Sequence, residues 1–251
     1  MSLKDKVVLI TGSGSGIGQA AALLYAEHGC HIVVSDINEA GGQSTVEQVQ
    51  ALGVQAIFVN CNVAKADQVQ NLVDKAVEHF GRIDIAVNNA GIGQRFPVRT
   101  ADVPHDDWDR TIAVNQTGVF YCMQAEIKQM LTQGEGSIIN IASMAGLRGL
   151  PNSSAYVASK HAVVGMTKTA ALEYARNNIR VNAVCPVFTI SPLFNQLLDA
   201  KEGIGEKLKR TIPLGRFAEA SEMAEVIVWL SSDKAGFITG RSLEVDGGQS
   251  A

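Results

Sequence analysis

Tyr156 and Lys160, four residues apart in Tyr156-Val157-Ala158-Ser159-Lys160, are the side chains whose types and spacing could do chemistry. On a helix, residues four apart share a face, so the phenol and the ammonium can point into one site. A free tyrosine, with a pKa of about 10, is a poor acid or base at neutral pH. A fixed ammonium nearby favours the phenolate and lowers that value, which would make a tuned proton donor and acceptor. The same spacing also occurs on ordinary solvated helix faces. What the pair means therefore depends on the elements that position it.

Those elements alternate. Apolar, β-branched runs at 6–11, 31–35, 54–61, 83–87, 137–142, 179–185 and 242–245 read as strands. Helical patterns lie between them at 19–28, 39–52, 65–80, 105–133, 153–177 and 221–231, several stopped by glycine. Strands that are apolar throughout imply a parallel sheet covered on both faces, and right-handed crossovers make it doubly wound. The predicted class is α/β, with about seven strands in one domain spanning residues 1–251. Residues 188–216 break the rhythm with Pro192, Gly203, Gly205, Pro213 and Gly215 around two short amphipathic pieces. An insertion there reads as a lid over a binding site, or else as a surface excursion.

Composition narrows the class. Of 251 residues 46% are hydrophobic and 18% charged, which excludes disorder, and a net charge of −4 argues against nucleic-acid and anionic-membrane partners. No apolar run approaches the ~20 residues that span a bilayer, and no secretory signal is expected. Cys30, Cys61, Cys122 and Cys185 are scattered, without a CxxC pair or partner histidines. They read as buried apolar residues of a cytoplasmic protein, with no metal site.

The first predicted strand runs into Thr11-Gly-Ser-Gly-Ser-Gly-Ile-Gly18 and then a helix. Glycines let the backbone approach a pyrophosphate, and the helix N-terminus supplies N–H groups and positive potential. Gly12, Ser15, Gly16, Ile17 and Gly18 are thus candidate cofactor contacts, although a glycine loop can also serve helix packing alone. Asp36, ending the second strand with Ile37 after it, can accept from ribose hydroxyls and would repel a 2′-phosphate. Position 15 is serine and not a cation, so both features favour NAD(H) over NADP(H).

With these residues assembled, the chain resembles the short-chain dehydrogenase/reductase family over essentially its full length. The match rests on the glycine run, Asn88-Asn-Ala-Gly91, Asn115, Ser143 and Tyr156-x-x-x-Lys160, in the family's order. The resemblance implies a Rossmann-type fold and a four-residue catalytic set. In it, Ser143 holds the substrate oxygen and Tyr156 exchanges its proton. Lys160 lowers the phenol pKa and holds the nicotinamide ribose. The Asn115 backbone carbonyl holds a water leading to solvent. It also implies that Asn89, Ala90 and Gly91 line the cofactor cleft while Asn88 stabilises the strand, and that Asn62 and Val63 meet the adenine, Asn62 accepting from its amino group.

The departure lies at Cys185-Pro-Val-Phe-Thr-Ile-Ser-Pro192. The family usually shows Pro-Gly, with a threonine four residues after the glycine anchoring the carboxamide. Here Val187 replaces the glycine and Ser191 the threonine, leaving Pro186, Thr189 and Ser191 as the expected contacts. Val187 either narrows the pocket, shifts the lid or is an engineered change.

The expected activity is oxidoreduction of a secondary alcohol and ketone with NAD(H). Alternatives are a 3-oxoacyl-(acyl-carrier-protein) reductase, a sugar or cyclic-diol dehydrogenase, and a non-catalytic cofactor sensor. Met144, Leu147, Leu150, Phe188, Leu193 and Phe194 give the cleft rim an apolar character that suits a hydrophobic or aromatic ketone, with Arg95 and Arg148 its only strong charges. The resemblance further implies a homotetramer built on residues 115–133 and 153–177.

Overall fold

The computed structural model describes residues 3–199 and 203–251. Seven strands, β1 (Val7–Thr11), β2 (His31–Asp36), β3 (Ala56–Asn60), β4 (Ile85–Asn88), β5 (Gly136–Ile141), β6 (Ile179–Pro186) and β7 (Ser242–Val245), form one parallel sheet in the order β3-β2-β1-β4-β5-β6-β7. The helices are α1 (Gly16–Glu27), α2 (Glu39–Ala51), α3 (Ala66–Phe80), α4 (His105–Ile112), α5 (Gly118–Gln133), α6 (Ser154–Tyr174), α7 (Pro192–Asp199), α8 (Ile204–Lys209) and α9 (Ala220–Ser231).

Successive strand residues face opposite ways, and the chain uses both faces. Val7 and Leu9 enter one buried cluster with residues of α3, α5 and α6, while Val8 and Ile10 enter the other with α1, α2 and α9. This is the predicted doubly wound architecture. The crossovers bring every strand's C-terminal end to one edge, where the order reverses between β1 and β4. At the opposite edge, Asp84 is buried and accepts from Lys6 Nζ at 2.9 Å, Arg82 Nη2 at 2.6 Å and the Val7 N–H at 2.9 Å. All four cysteines are buried and unpaired.

One expectation changes. The helical pattern at 105–133 is broken by a π-helical turn over Ala113–Thr117, where the Gly118 N–H reaches back to the Ala113 carbonyl. Side-chain periodicity survives one wide turn, so the pattern reads as a single helix. The 188–216 insertion contains α7 and α8 and has its own small core. Phe194 and Phe217 meet edge to face at 4.8 Å, Phe188 stacks on Phe194 at 5.5 Å, and Ile212 is buried with them.

Candidate active site

The loop after β1 lies at the switch point. Gly12 and Gly16 take φ of +64° and +57°, a region glycine enters without strain. A Cβ on Gly12 would stand 2.7 Å from Ala90 Cα, and one on Gly18 would collide with the Gly12 carbonyl. Ser15 precedes α1 without making a side-chain cap bond, and no acid occupies the first turn. The N–H groups of Ile17 and Gly18 thus open a turn suited to an anion.

Thr11 and Asn89 tie the ends of β1 and β4 together. Thr11 Oγ1 accepts from the Asn89 and Ala90 N–H groups at 3.1 and 3.2 Å, and Asn89 Nδ2 donates to the Thr11 and Gly12 carbonyls at 3.0 and 2.8 Å. The Asn89 amide is therefore spent on shaping the glycine loop.

Asp36 stands beside that loop. Its Oδ2 accepts from the Gly14 N–H at 2.9 Å and its Oδ1 from the Asn38 N–H at 2.9 Å. Ile37 beside it is 69% exposed, an apolar side chain available to a flat ring. No ion pair reaches Asp36 among the described residues. After β3, Val63 is buried against Gly118, whose added Cβ would stand 2.8 Å from Val63 Cγ2. Asn62 Oδ1 accepts from the Ala64 N–H at 3.0 Å. One lone pair of that oxygen is engaged in a local turn, which leaves a second lone pair and Nδ2 to offer a ligand.

The chemistry-bearing side chains converge across β4, β5 and α6. Ser143 follows β5 and accepts from the Ala145 N–H at 3.1 Å, capping a short 3₁₀ turn. Tyr156 and Lys160 lie in the first two turns of α6, with Lys160 Nζ 5.7 Å from the Tyr156 ring centroid. Lys160 is 4% exposed and donates to the Ile141 carbonyl at 2.8 Å. Burial lowers its pKa to about 8. Burial also raises the Tyr156 phenol above its ordinary value, and hydrogen bonding with Ser143 opposes that rise.

Asn115 sits in the π-helical turn with its side chain wholly buried. Its Oδ1 accepts from the Ile92 N–H and its Nδ2 donates to the Ile92 carbonyl, both at 2.8 Å. Gly91 is held between them: a Cβ there would lie 3.4 Å from Asn115 Oδ1 and 3.6 Å from Lys160 Nζ. The structure thus brings Gly91, Asn115 and Lys160 together and sets Tyr156 and Ser143 beside them.

The β6 end closes the far side. Pro186 ends the strand, Thr189 Oγ1 donates to the Val187 carbonyl at 3.1 Å, and Ser191 Oγ accepts from the Phe194 N–H at 3.3 Å. A Cβ on Gly16 would stand 3.2 Å from Ser191 Cβ, so this segment lies against the glycine loop. Val187 is not among the positive-φ residues, and its N–H donates to the Val245 carbonyl at 3.3 Å. The valine is accommodated without backbone strain, its side chain packed between the main core and the small aromatic one.

Two expected rim residues turn inward: Met144 is 4% exposed and Phe194 7%. Arg148 bonds the Gln249 carbonyl at 3.4 Å and so faces the C-terminal turn. Asp107 was not anticipated. Fully buried, it accepts from the Arg95 and Phe96 N–H groups at 2.9 and 3.3 Å and from Arg110 Nη2 at 3.3 Å, pinning the loop after Gly91. An aspartate in a helix's first turn reads from sequence only as dipole compensation.

A parallel sheet with a glycine cradle at its switch point, and with a half-buried phenol and a buried ammonium beside it, is the framework of a dinucleotide-dependent oxidoreductase. The comparisons agree. A family model described as enoyl-(acyl carrier protein) reductase matches residues 12–250. Cyclohexanol dehydrogenase of Acinetobacter sp. (strain SE19) is 43% identical over 243 residues, 97% of this chain and 94% of that protein. The 3-oxoacyl-(acyl-carrier-protein) reductase FabG of Thermotoga maritima is 42% identical over 248 residues, 99% of both chains. The crystal structure of NAD⁺-bound xylitol dehydrogenase superposes with a TM-score of 0.93 at 37% identity, covering 98% of this chain and 100% of that one. The chain belongs to the short-chain dehydrogenase/reductase family, and its class of reaction is alcohol–ketone oxidoreduction. No helix among the described residues is long and apolar enough to cross a membrane.

Proposed function

We propose that the protein reversibly reduces a hydrophobic or cyclic ketone to a secondary alcohol with NAD(H). The observation that carries this is the convergence of Ser143, Tyr156, Lys160, Asn115 and Gly91 at one edge of the sheet. Gly12, Ser15, Gly16, Ile17 and Gly18 would hold the pyrophosphate, and Asp36 and Ile37 the adenosine. Asn62, Val63, Ala90, Pro186, Thr189 and Ser191 would line the remaining cofactor surface, with Asn89 setting its floor. The bound nicotinamide supplies or takes the hydride.

Ser143 donates to the substrate oxygen, and Tyr156 delivers its proton there as negative charge develops. The raised pKa keeps that proton on the phenol at neutral pH. Lys160, poised near pH 8 by burial, would hold the ribose hydroxyls and favour the phenolate once it forms. Asn115 fixes the loop beside Lys160, with its backbone carbonyl assigned to a water leading outward. Residues 188–216 act as the substrate lid.

A carboxylate at position 36 disfavours a 2′-phosphate, which weighs against an NADPH-dependent acyl-carrier reductase. The full-length likeness to a cyclohexanol dehydrogenase supports a cyclic alcohol or diol. An intact Ser143–Tyr156–Lys160 set weighs against a cofactor sensor. We assign a cytoplasmic homotetramer, paired through α5 and α6, where Phe120 is 46% and Leu172 85% exposed.

The test is loss of NADH absorbance with a hydrophobic aryl ketone, with Tyr156→Phe in parallel. Turnover by the parent that is abolished in the variant supports the mechanism. Equal turnover by both refutes it.

A further inference from the structure

Glu126, on α5, is 1% exposed in the core beneath the end of β4. Its Oε2 accepts from Asn88 Nδ2 at 3.0 Å. The second Asn88 amide proton goes to Asn140 Oδ1 at 3.0 Å, and Asn140 Nδ2 donates to Thr167 Oγ1 at 2.9 Å. Thr167 passes its own proton to the Val163 carbonyl at 2.8 Å. Every donor in this chain is used. Two buried oxygens remain without a partner, Glu126 Oε1 and Asn88 Oδ1. Both are acceptors, and they belong to the two planar groups already joined by the Nδ2–Oε2 bond. A buried acceptor left bare costs about 1–3 kcal/mol, and one proton would satisfy both.

We propose that Glu126 is a neutral carboxylic acid in the folded protein. It donates from Oε1 to Asn88 Oδ1 and closes a two-bond acid–amide ring that holds the Asn88–Gly91 turn from below. Glu126 is then a positioning residue for the cofactor cleft, because Asn88 leads directly into Asn89, whose amide shapes the glycine loop.

The surroundings favour the neutral form. Burial raises the Glu126 carboxyl to about 7, with Asn88 opposing. On α3 the inward residues Val69, Leu72, Val73 and Ala76 are apolar, whereas Asp67, Asp74, Lys75, Glu78 and His79 are exposed. On α5, Lys128 is exposed, and the Cys122 thiol is pushed well up by burial and by Glu126 itself. The Cys61 thiol on the β3 side is pushed up to about 11 by burial. Tyr121 and Tyr174 pack half-buried at the same core. On α6, Lys160 is committed to Ile141, and His161, Lys168 and Glu173 are exposed. Among the described residues, no cation pairs with Glu126.

Glu126→Gln is the decisive variant, since a glutamine can accept from Asn88 Nδ2 and donate to Asn88 Oδ1 without a titrating proton. Three readouts are taken on the full chain from about pH 6 to about pH 8.5, on either side of an acid titrating near 7. Infrared spectra of the parent at the lower pH should show a carboxylic-acid C=O band that Glu126→Gln lacks and that fades as pH rises. Melting temperature should fall with pH more steeply in the parent than in the variant. The dissociation constant for NADH, followed by fluorescence, should weaken with pH several-fold more in the parent.

Parallel melting profiles, or an acid band that the substitution does not remove, would mean that Glu126 is ionised and bridged by a buried water, and would overturn the proposal. Failure of Glu126→Gln to fold overturns it too, because glutamine reproduces both bonds. An acid band without any difference in NADH affinity overturns the positioning role. The first two readouts stand even if NADH does not bind, so this inference and the proposed function fail separately.

Discussion

Lys160 directs its ammonium to the Ile141 carbonyl and stands 5.7 Å from the Tyr156 ring centroid, with no hydrogen bond to the phenol. The pair shares a face of α6, and in the free protein the ammonium is engaged by a strand carbonyl. Alcohol oxidation needs the phenolate, and ketone reduction the neutral phenol. With the phenol held above its ordinary pKa, kcat/KM for oxidation should climb with pH past neutrality while that for reduction stays level. Initial rates in both directions across pH check this. Lys160→Met should lower both by about 100-fold, within the usual range for general acid–base catalysis.

Asp36 supplies the carboxylate beside the glycine loop, and Gly14 donates to it at 2.9 Å. Asp36→Arg should weaken NADH binding by about 10- to 100-fold, since a hydrogen bond to a charged group contributes about 1.5–3 kcal/mol. The same change should strengthen NADPH binding by offering a cation to the 2′-phosphate. Fluorescence titration with each cofactor measures the exchange, and an unchanged ratio would remove Asp36 from the ribose site.

Asp107 holds two backbone N–H groups and Arg110 at the loop after Gly91. Asp107→Ala leaves those donors bare in a buried place and should cost about 1–3 kcal/mol of stability. With that loop on the substrate side, as proposed, KM for the ketone should rise while the NADH dissociation constant changes little. Urea unfolding and steady-state kinetics together test the assignment.

Two glycines on α2 and beyond separate crowding from strain. A Cβ on Gly42 would drive into the Phe58 ring, whereas at Gly53 nothing lies within 4 Å and only the φ of +85° opposes a side chain. Gly42→Ala should cost about 1–3 kcal/mol through overpacking, and Gly53→Ala about 1 kcal/mol through backbone strain. Adding Phe58→Leu should recover part of the first loss and none of the second.

Much of this was legible beforehand for a physical reason. Fully buried parallel strands are largely apolar on both faces, so Val7–Thr11 declares itself without partners in view. Glycines at a strand–helix junction are equally plain, since few other residues allow that turn. Three-dimensional commitments were hidden. Asn62 gives no sign in the sequence that its oxygen also serves a local turn with Ala64. Met144 and Phe194 could face cleft or core with equal hydrophobicity, and both chose the core. Glu126 on a helix reads as solvated surface, because one acidic letter does not reveal which face it occupies.

The aromatic cluster of Phe188, Phe194 and Phe217 has a consequence for how such a chain can change over generations. The segment between β6 and α9 carries its own hydrophobic cluster, which Val187 joins to the main core. Substitutions there spend the small cluster's stability and not that of the seven-stranded scaffold. Selection can therefore rework that segment while the sheet is inherited unchanged, and new preferences can arise without the risk of a chain that no longer folds.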